Sequence, residues 1–224
     1  MSETKLNFKD FKTEESREEW WSKELAECAH CYRIPMHNLP LPLTFRRPPK
    51  VCVDIGANVG TFSFYSSDFF ESIYAYEAIN STYDVAKENL KDKKNVTVYN
   101  LAVSNKSGDK IKLSAYESGL SGDTSVYNVT DESPYELCET IDLEKIYEDN
   151  EIDYIDYMKV DCEGSEYDFL MNKDLSRISF LVMELHNGYL GQKKTEELLQ
   201  YLNKFFDLQF KIGDHILFFR EKEV

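Results

Sequence analysis

The sequence predicts an α/β fold built on a mostly parallel sheet, and three observations lead to this prediction. After residue 50, short apolar runs rich in β-branched and aromatic residues alternate with longer amphipathic stretches. Such alternation is typical of parallel strands joined by right-handed helical crossovers. The chain ends on two neighbouring apolar runs, LQFKIG and HILFFRE, which predict an antiparallel hairpin added to the sheet.

The elements follow one another without an internal repeat. The predicted strands before the final hairpin are VCVDI, SIYAYEA, VTVYNLAV, YIDYMKVD and FLVMEL. The predicted helices are VGTFSFYSSDFF, STYDVAKENL and a last one from about Thr195 to Phe206. Ser81 and Asp84 form a predicted capping pair for the second helix. The polar, strand-like segment from Ile111 to Thr140 predicts a hairpin or flap over one edge of the sheet.

Residues 1–50 are predicted to be an appendage of the main domain, which spans residues 51–224. An apolar stripe at helical spacing predicts a helix that docks on that domain; it consists of Trp21, Leu25, Cys28 and Tyr32. One of the adjacent tryptophans at positions 20 and 21 would pack in the core or in a homodimer contact. Arg33 to Lys50 holds five of the six prolines and predicts an extended arm.

Charge and composition narrow the classes of partner. The formal net charge of −15 opposes binding to a nucleic acid backbone or to anionic lipid. The N-terminal region is rich in Lys, Glu and Asp, and we expect neither a signal peptide nor a membrane span. The five unevenly spaced cysteines are expected to be reduced thiols, which favours a cytoplasmic location.

The loop after the first strand has the composition of a ligand-binding turn. Gly56 would let a ligand approach the backbone. Gly60 would leave the N–H groups at the start of the following helix free to bind an anion. Asn58 occupies the place of the middle glycine in a dinucleotide fingerprint, and Asn tolerates a positive φ well. The alternative is an ordinary turn between a strand and a helix.

Two carboxylates indicate which ligand this loop would hold. Glu77 ends the second strand seventeen positions after Gly60, where its carboxylate could accept hydrogen bonds from the hydroxyls of an adenosine ribose. Asp54 lies just before the loop, where it would repel a diphosphate and attract a free α-amino group. S-adenosylmethionine has that amino group and that ribose, so it fits the pattern better than a nicotinamide dinucleotide.

Six longer motifs follow one another between Val51 and about Arg220. They are VCVDIGANVGTFSFY, YAYEAINSTYDVAKENL, NLAVSNKSGD, ETIDL, MKVDCEGSEYDFL and LVMELH. In this order they resemble the FkbM family of S-adenosylmethionine-dependent methyltransferases, and KVDCEGSE is the most distinctive piece. The resemblance implies a Rossmann-like class I methyltransferase fold with a seven-stranded sheet. It also implies an O-methyltransferase that acts on a hydroxyl of a sugar, a glycan or a small natural product.

The resemblance assigns the predicted cofactor contacts. The methionine portion of the donor would meet the loop residues, which are Asp54, Gly56, Asn58 and Gly60. Glu77 would bind the ribose, and Ala102 and Val103 would lie beside the adenine. That last segment could equally be a buried strand end without a ligand.

Polar residues at the ends of two later strands supply the candidates for chemistry. Methyl transfer to a hydroxyl needs a base or a divalent cation that takes or weakens the proton. Asp161, Glu163 and His186 are the predicted catalytic residues, and Asp161, Glu184 and His186 would suit Mg or Mn. In the alternative reading Asp161 caps a helix near Ser165, Glu163 is solvated and His186 is an ordinary surface residue.

Two other functions stay open at this stage. One is an inactive module that binds an adenosine ligand and acts on a partner through its acidic surface and N-terminal helix. The other is an NAD-dependent oxidoreductase, which the missing middle glycine and Asp54 disfavour.

Overall fold

The computed structural model describes residues 49–114, 135–212 and 215–220. The predicted N-terminal helix, the proline-rich arm and the middle of the predicted flap lie outside these residues. The strands are β1 (Val51–Ile55), β2 (Ser72–Tyr76), β3 (Val96–Tyr99), β4 (Ala102–Val103), β5 (Lys110–Ser114), β6 (Tyr135–Ile141), β7 (Ile155–Val160), β8 (Ile178–Glu184), β9 (Leu208–Ile212) and β10 (His215–Phe219). The helices are α1 (Thr61–Ser66), α2 (Asn80–Leu90), α3 (Leu143–Asp149), α4 (Glu166–Leu170) and α5 (Asn187–Leu202).

The described residues form a central sheet of seven strands in the order β3-β2-β1-β7-β8-β10-β9. The first five strands in this order are parallel, and β10 is antiparallel to both β8 and β9. This confirms the predicted α/β class, with its mostly parallel sheet and antiparallel C-terminal hairpin. The chain leaves β1 towards β2 on one side and receives β7 on the other, so β1 and β7 frame the switch point where ligands bind in such sheets.

The middle of the sheet is buried on both faces. Every residue of β7 is buried, and its apolar side chains contribute to two apolar clusters. Met158 packs in the larger cluster, whereas Tyr157 packs in the smaller one, between the rings of Phe62 and Phe180. Because these strands are buried on both faces, the carboxyl ends of β1 and β7 are held in place and can position functional side chains.

A second, three-stranded sheet has the order β4-β6-β5. Its strands β5 and β6 pair antiparallel, which confirms a hairpin in the predicted flap segment. The prediction of one continuous strand over VTVYNLAV is wrong, because β3 and β4 belong to different sheets. The side chain of Asn100 lies at this break and donates hydrogen bonds to the carbonyls of Glu77 and Ala78.

The start of α2 differs from its prediction. Ile79 is the N-cap residue and no side chain caps it, so the predicted pairing of Ser81 with Asp84 is wrong. Two carboxylates from outside the helix take that role instead. Glu77 accepts the N–H of Ile79 and Glu136 accepts the N–H of Asn80. Glu77 is close to this helix end in the chain, whereas Glu136 is brought there only by the fold.

Two other helices depart from the sequence-based expectation. Helix α5 consists of two helical segments on either side of Gly191, whose φ of 72° is not helical. The second segment contains the helix predicted from about Thr195, and the first segment, which begins at Asn187, was not predicted. Helix α3 was not among the predicted helices, and its N-cap Asp142 accepts the N–H of Lys145. Among the described residues, no helix combines the length and the apolar character that crossing a bilayer would require.

Candidate functional site

The glycine loop, residues 56–60, joins β1 to α1 and contains three residues with positive φ. The φ values of Gly56, Asn58 and Gly60 are 69°, 51° and 87°. The N–H groups of Gly56 and Ala57 both donate to the carbonyl of Tyr76 at 3.0 Å, which ties the loop to the end of β2. Asn58 therefore adopts the left-handed conformation that was expected of it.

Both predicted glycines are needed at points of close approach. A Cβ atom on Gly56 would lie 1.7 Å from the carbonyl oxygen of Asp161, and one on Gly60 would lie 2.6 Å from Cδ1 of Leu90. The first contact is with backbone and leaves no room for a side chain. The loop thus rests directly on the residue that follows β7.

Glu77 lies at the carboxyl end of β2, and 8% of its surface is exposed. One carboxylate oxygen accepts the N–H of Asn58 and the other accepts the N–H of Ile79, each at 2.9 Å. Burial raises the pKa of Glu77 to about 7, although these two hydrogen bonds favour the ionised form. Each oxygen keeps a second lone pair that can accept a hydroxyl.

A cavity opens beside the glycine loop and Glu77, and the ends of β1, β2 and β7 contribute to it. Its wall consists of Ile55, Gly56, Asn58, Tyr76, Glu77, Ala78, Ile79, Thr82, Leu101, Ala102, Val103, Ile111, Leu113, Asp161, Cys162, Glu163 and Ser165. Five of the predicted cofactor residues therefore share one cavity, namely Gly56, Asn58, Glu77, Ala102 and Val103. Their contacts with a donor stay predictions.

One end of the cavity is an apolar slot. Ala102 and Val103 line it from β4, and Ile111 and Leu113 line it from β5 of the small sheet. All but Ile111 are fully buried. Apolar walls of this kind suit the flat face of a heterocyclic base.

Asp54 does not line the cavity, although it was predicted to contact the donor. Its side chain is 0% exposed, and Oδ2 accepts a hydrogen bond from the hydroxyl of Ser63 at 2.7 Å. Nζ of Lys159 lies 3.3 Å from Oδ1. The charge of Asp54 is thus balanced inside the protein, and its direct contact with a donor stays a prediction.

The other end of the cavity is acidic. Asp161 and Glu163 line it, and Nε2 of His186 lies 3.8 Å from Oδ1 of Asp161 and 3.2 Å from Oε2 of Glu163. Ligand atoms of these three residues lie within 4.8 Å of one another, close enough to hold a metal ion. Oε1 of Glu184, which was predicted in this group, lies 3.9 Å from Nε2 of His186, but Glu184 is not one of the three residues whose ligand atoms all lie this close to one another. Its role as a metal ligand stays a prediction.

Glu166 is a site residue that the sequence analysis missed. It is 0% exposed, and its Oε1 contacts Nδ1 of His186 at 2.5 Å and accepts the N–H of Gly164 at 3.1 Å. Burial by itself lowers the pKa of His186, but the hydrogen bond and charge of Glu166, together with Glu163 and Asp161, outweigh it and raise the pKa to about 9. Glu166 therefore orients the imidazole so that Nε2 faces the cavity acids.

Lys159 is the second missed residue. A lysine inside the apolar run YIDYMKV is the signal that could have revealed it, because a buried ammonium requires partners. Helix α4, which carries Glu166, begins after Ser165 without a side-chain cap. Ser165, and not Asp161, is therefore the N-cap residue of this helix.

Several solved structures show a distant similarity to this chain. TrmK from M. capricolum, in complex with S-adenosyl-homocysteine, is 13% identical over 83% of this chain and 69% of that chain, with a TM-score of 0.43. Precorrin-6y C5,15-methyltransferase from Geobacter metallireducens is 12% identical over 96% of this chain and 97% of that chain, with a TM-score of 0.46. Fibrillarin from Aeropyrum pernix, with natively bound S-adenosyl-L-methionine, is 11% identical over 77% of this chain and 66% of that chain, with a TM-score of 0.41. At these identities the similarities concern the fold only.

The sequence itself gives the family. A search of curated proteins finds no match. The family model described as the methyltransferase FkbM domain matches residues 54–212, which is more than half of the chain and includes the glycine loop, Glu77 and the acidic end of the cavity. The chain therefore belongs to the FkbM family of S-adenosylmethionine-dependent methyltransferases.

Proposed function

We propose that this methyltransferase transfers its methyl group to a hydroxyl of a sugar, a glycan or a small natural product. The observation that carries the proposal is the continuity of one cavity between Glu77 and the acids Asp161 and Glu163. The first part suits an adenosine ligand, and the second part offers groups that can remove a hydroxyl proton. Membership of the family excludes the alternative of an NAD-dependent oxidoreductase.

The donor would lie along the cavity with its ribose at Glu77 and its adenine in the apolar slot of β4 and β5. Its amino-acid portion would then meet the glycine loop. Oδ1 of Asn58 is buried and has no hydrogen-bond partner in the described part of the chain. A buried acceptor of this kind is costly unless a ligand uses it, and the ammonium of the donor is a suitable partner.

The reaction is an in-line displacement. The acceptor oxygen forms a bond to the methyl carbon, the bond between carbon and sulfur breaks, and its electron pair neutralises the sulfonium. The proton of the hydroxyl passes to a base in the site. The protein must therefore align oxygen, carbon and sulfur and provide a proton acceptor beside the methyl group.

Asp161 and Glu163 are the proposed contacts of the acceptor hydroxyl, because both line the cavity. His186 lies behind them, held by Glu166. Because its pKa is raised to about 9, the imidazole is already protonated near neutral pH, so it would counter the negative charge of the two acids rather than accept their proton. A divalent cation bound by Asp161, Glu163 and His186 is the second form of this proposal, in which the cation lowers the pKa of the hydroxyl. Carboxylate and imidazole ligands of this kind suit Mg or Mn.

Two measurements test the proposal. Calorimetric titration should show binding of S-adenosylhomocysteine and none of NAD. Incubation with S-adenosylmethionine and a panel of hydroxylated acceptors, followed by mass spectrometry, should show the mass gain of one methyl group, attached to oxygen as a methyl ether. Gain on an amine or carbon, or binding without transfer to any acceptor, would contradict O-methylation; the latter result favours a binding module.

Variants and chelation of metal ions distinguish a mechanism with a side-chain base from one with a divalent cation. We expect Asp161→Asn to suppress turnover while S-adenosylhomocysteine binds normally. Activity that survives exhaustive chelation would exclude the cation and leave the base. If a cation is required, Glu163→Gln should weaken its binding more than Glu184→Gln does, because only Glu163 belongs to the observed cluster.

A further inference from the structure

We propose that Lys159 is a positioning residue that fixes the glycine loop and Asp161 relative to each other. This inference rests on the proposed donor site, since the loop and Asp161 are its two sides. Lys159 does not itself line the cavity. It would act through the groups that do.

The strand register brings Lys159 to this place. It lies opposite Asp54 in the pairing of β1 with β7, in the middle of a sheet that is buried on both faces. Asp161 follows two residues later, where β7 ends. Neighbouring strands and the alternation of side chains along a strand thus bring the ammonium between two carboxylates.

The ammonium of Lys159 has three contacts that join the two sides. Nζ donates a hydrogen bond to the carbonyl of Gly56 at 2.6 Å, and it lies 3.3 Å from Oδ1 of Asp54 and 3.7 Å from Oδ2 of Asp161. Its side chain is 4% exposed. A cation at this depth is weakly screened, so it holds the backbone of the loop and both carboxylates firmly.

Stability alone is a poor explanation for this arrangement. Replacing a buried ion pair by apolar side chains of similar volume is often neutral or stabilising, whereas removing one partner leaves a costly buried charge. The Asp54–Lys159 pair is better explained by the positions in which it holds the neighbouring groups. It fixes the carbonyl of Gly56, whose Cα is already packed against the carbonyl of Asp161.

Loss of the Lys159 ammonium would affect the ribose-binding residue Glu77 through the glycine loop. Two residues after Gly56, the N–H of Asn58 donates to Oε2 of Glu77. A loop that shifts when the Lys159 hydrogen bond is lost would move this N–H and release Glu77. Donor affinity should then fall even though Lys159 never touches the donor.

The experiment compares Lys159→Met with Lys173→Met by titration with S-adenosylhomocysteine. Lys173 is a matched control, because its half-buried ammonium also faces two acids, Glu144 at 2.7 Å and Asp142 at 3.9 Å, but lies off the cavity. We expect Lys159→Met to weaken binding roughly tenfold or more and Lys173→Met to leave it unchanged. Lys159→Arg keeps the cation and should retain more affinity than Lys159→Met.

A double variant separates positioning from folding. Asp54→Asn combined with Lys159→Met removes both charges of the buried Asp54–Lys159 pair, so its melting temperature should recover relative to Lys159→Met alone. Its affinity for S-adenosylhomocysteine should stay low, because the bond to Gly56 is still missing. A double variant that binds like the wild type would overturn the inference. If Asp54→Asn alone lost as much affinity as the double variant, that result would also overturn the inference and assign the effect to Asp54.

The same titrations distinguish this inference from the proposed function. If the wild-type protein fails to bind S-adenosylhomocysteine, the donor site itself is wrong. If the wild type binds and Lys159→Met binds equally well while folded, only the role of Lys159 is wrong.

Discussion

The carboxylate of Glu77 accepts the backbone N–H of Asn58 at 2.9 Å, which joins the end of β2 to the glycine loop. One side chain therefore shapes the loop and offers its remaining lone pairs to the cavity. The side that would hold the ribose and the side that would hold the amino-acid portion of the donor depend on the same residue.

We expect Glu77→Gln to weaken binding of S-adenosylhomocysteine by about 2 kcal/mol or more, because an amide donor would replace an acceptor oxygen of a charge-assisted hydrogen bond. Titration calorimetry measures this change. Glu136→Gln is the matched control, since Glu136 also accepts a backbone N–H near the start of α2 but lies off the cavity wall. Equal affinities of the two variants would contradict the assignment of Glu77 to the ribose.

Donor binding should depend on pH through Glu77. Burial raises the pKa of this acid to about 7 in the ligand-free protein, and the ionised form is the better acceptor for ribose hydroxyls. Below this pKa, Glu77 must lose a proton before it can bind the ribose in this way. Affinity should be constant above it and fall by up to about tenfold per pH unit below it. Titrations between mildly acidic and mildly basic pH measure the slope, and a slope that persists in Glu77→Gln would assign it to another group.

Gly56→Ala should destabilise the protein more than Gly108→Ala. Both glycines have positive φ, 69° and 79°, so both variants incur about 1–2 kcal/mol for the left-handed conformation. A Cβ on Gly56 would also strike the carbonyl of Asp161, whereas one on Gly108 would have no atom within 4 Å. Urea unfolding gives the difference in the free energy of unfolding. Equal losses would show that the loop can move away from Asp161.

Glu166→Gln should reduce turnover roughly tenfold or more and leave affinity for S-adenosylhomocysteine unchanged, because the amide keeps the volume but loses the charge that orients His186. The fold should persist, since Oε2 of Glu166 has no hydrogen-bond partner within the described residues and an amide can replace it. Glu197→Gln is the control, because Glu197 accepts the hydroxyl of Tyr167 away from the cavity. Turnover equal to that of this control would remove Glu166 from the mechanism.

The parts of the site that sequence predicts are those with a local signal. Gly56, Asn58 and Glu77 stand at fixed spacings after strands, and the local rules for turns and parallel sheets apply to them. The position of Lys159 inside an apolar run indicates that it has partners but not which ones, and Glu166 has no local signal. Their partners come from other strands and from the segment before α5. Their importance follows from the register of β1 with β7 and from the position of His186, which tertiary structure alone determines.

The errors have the same origin. Ser81 and Asp84 satisfy a local capping pattern, yet Glu77 and Glu136 reach the helix end from the sheets and displace it. The unpredicted first segment of α5 is separated from the predicted helix by Gly191, whose φ of 72° is not helical. In each case a contact or a kink outside the reach of local periodicity decided the outcome.

The packing of Gly56 on the carbonyl of Asp161 has a consequence for recombination between family members. A glycine loop transferred alone from another family member would lose the β7 backbone against which it packs in its own protein. Chimeras that exchange β1, its loop and β7 as one block should stay active, whereas those cut between β1 and β7 should lose donor binding. The natural junction for such an exchange lies beyond β8, at Gly191, where the helix is already interrupted.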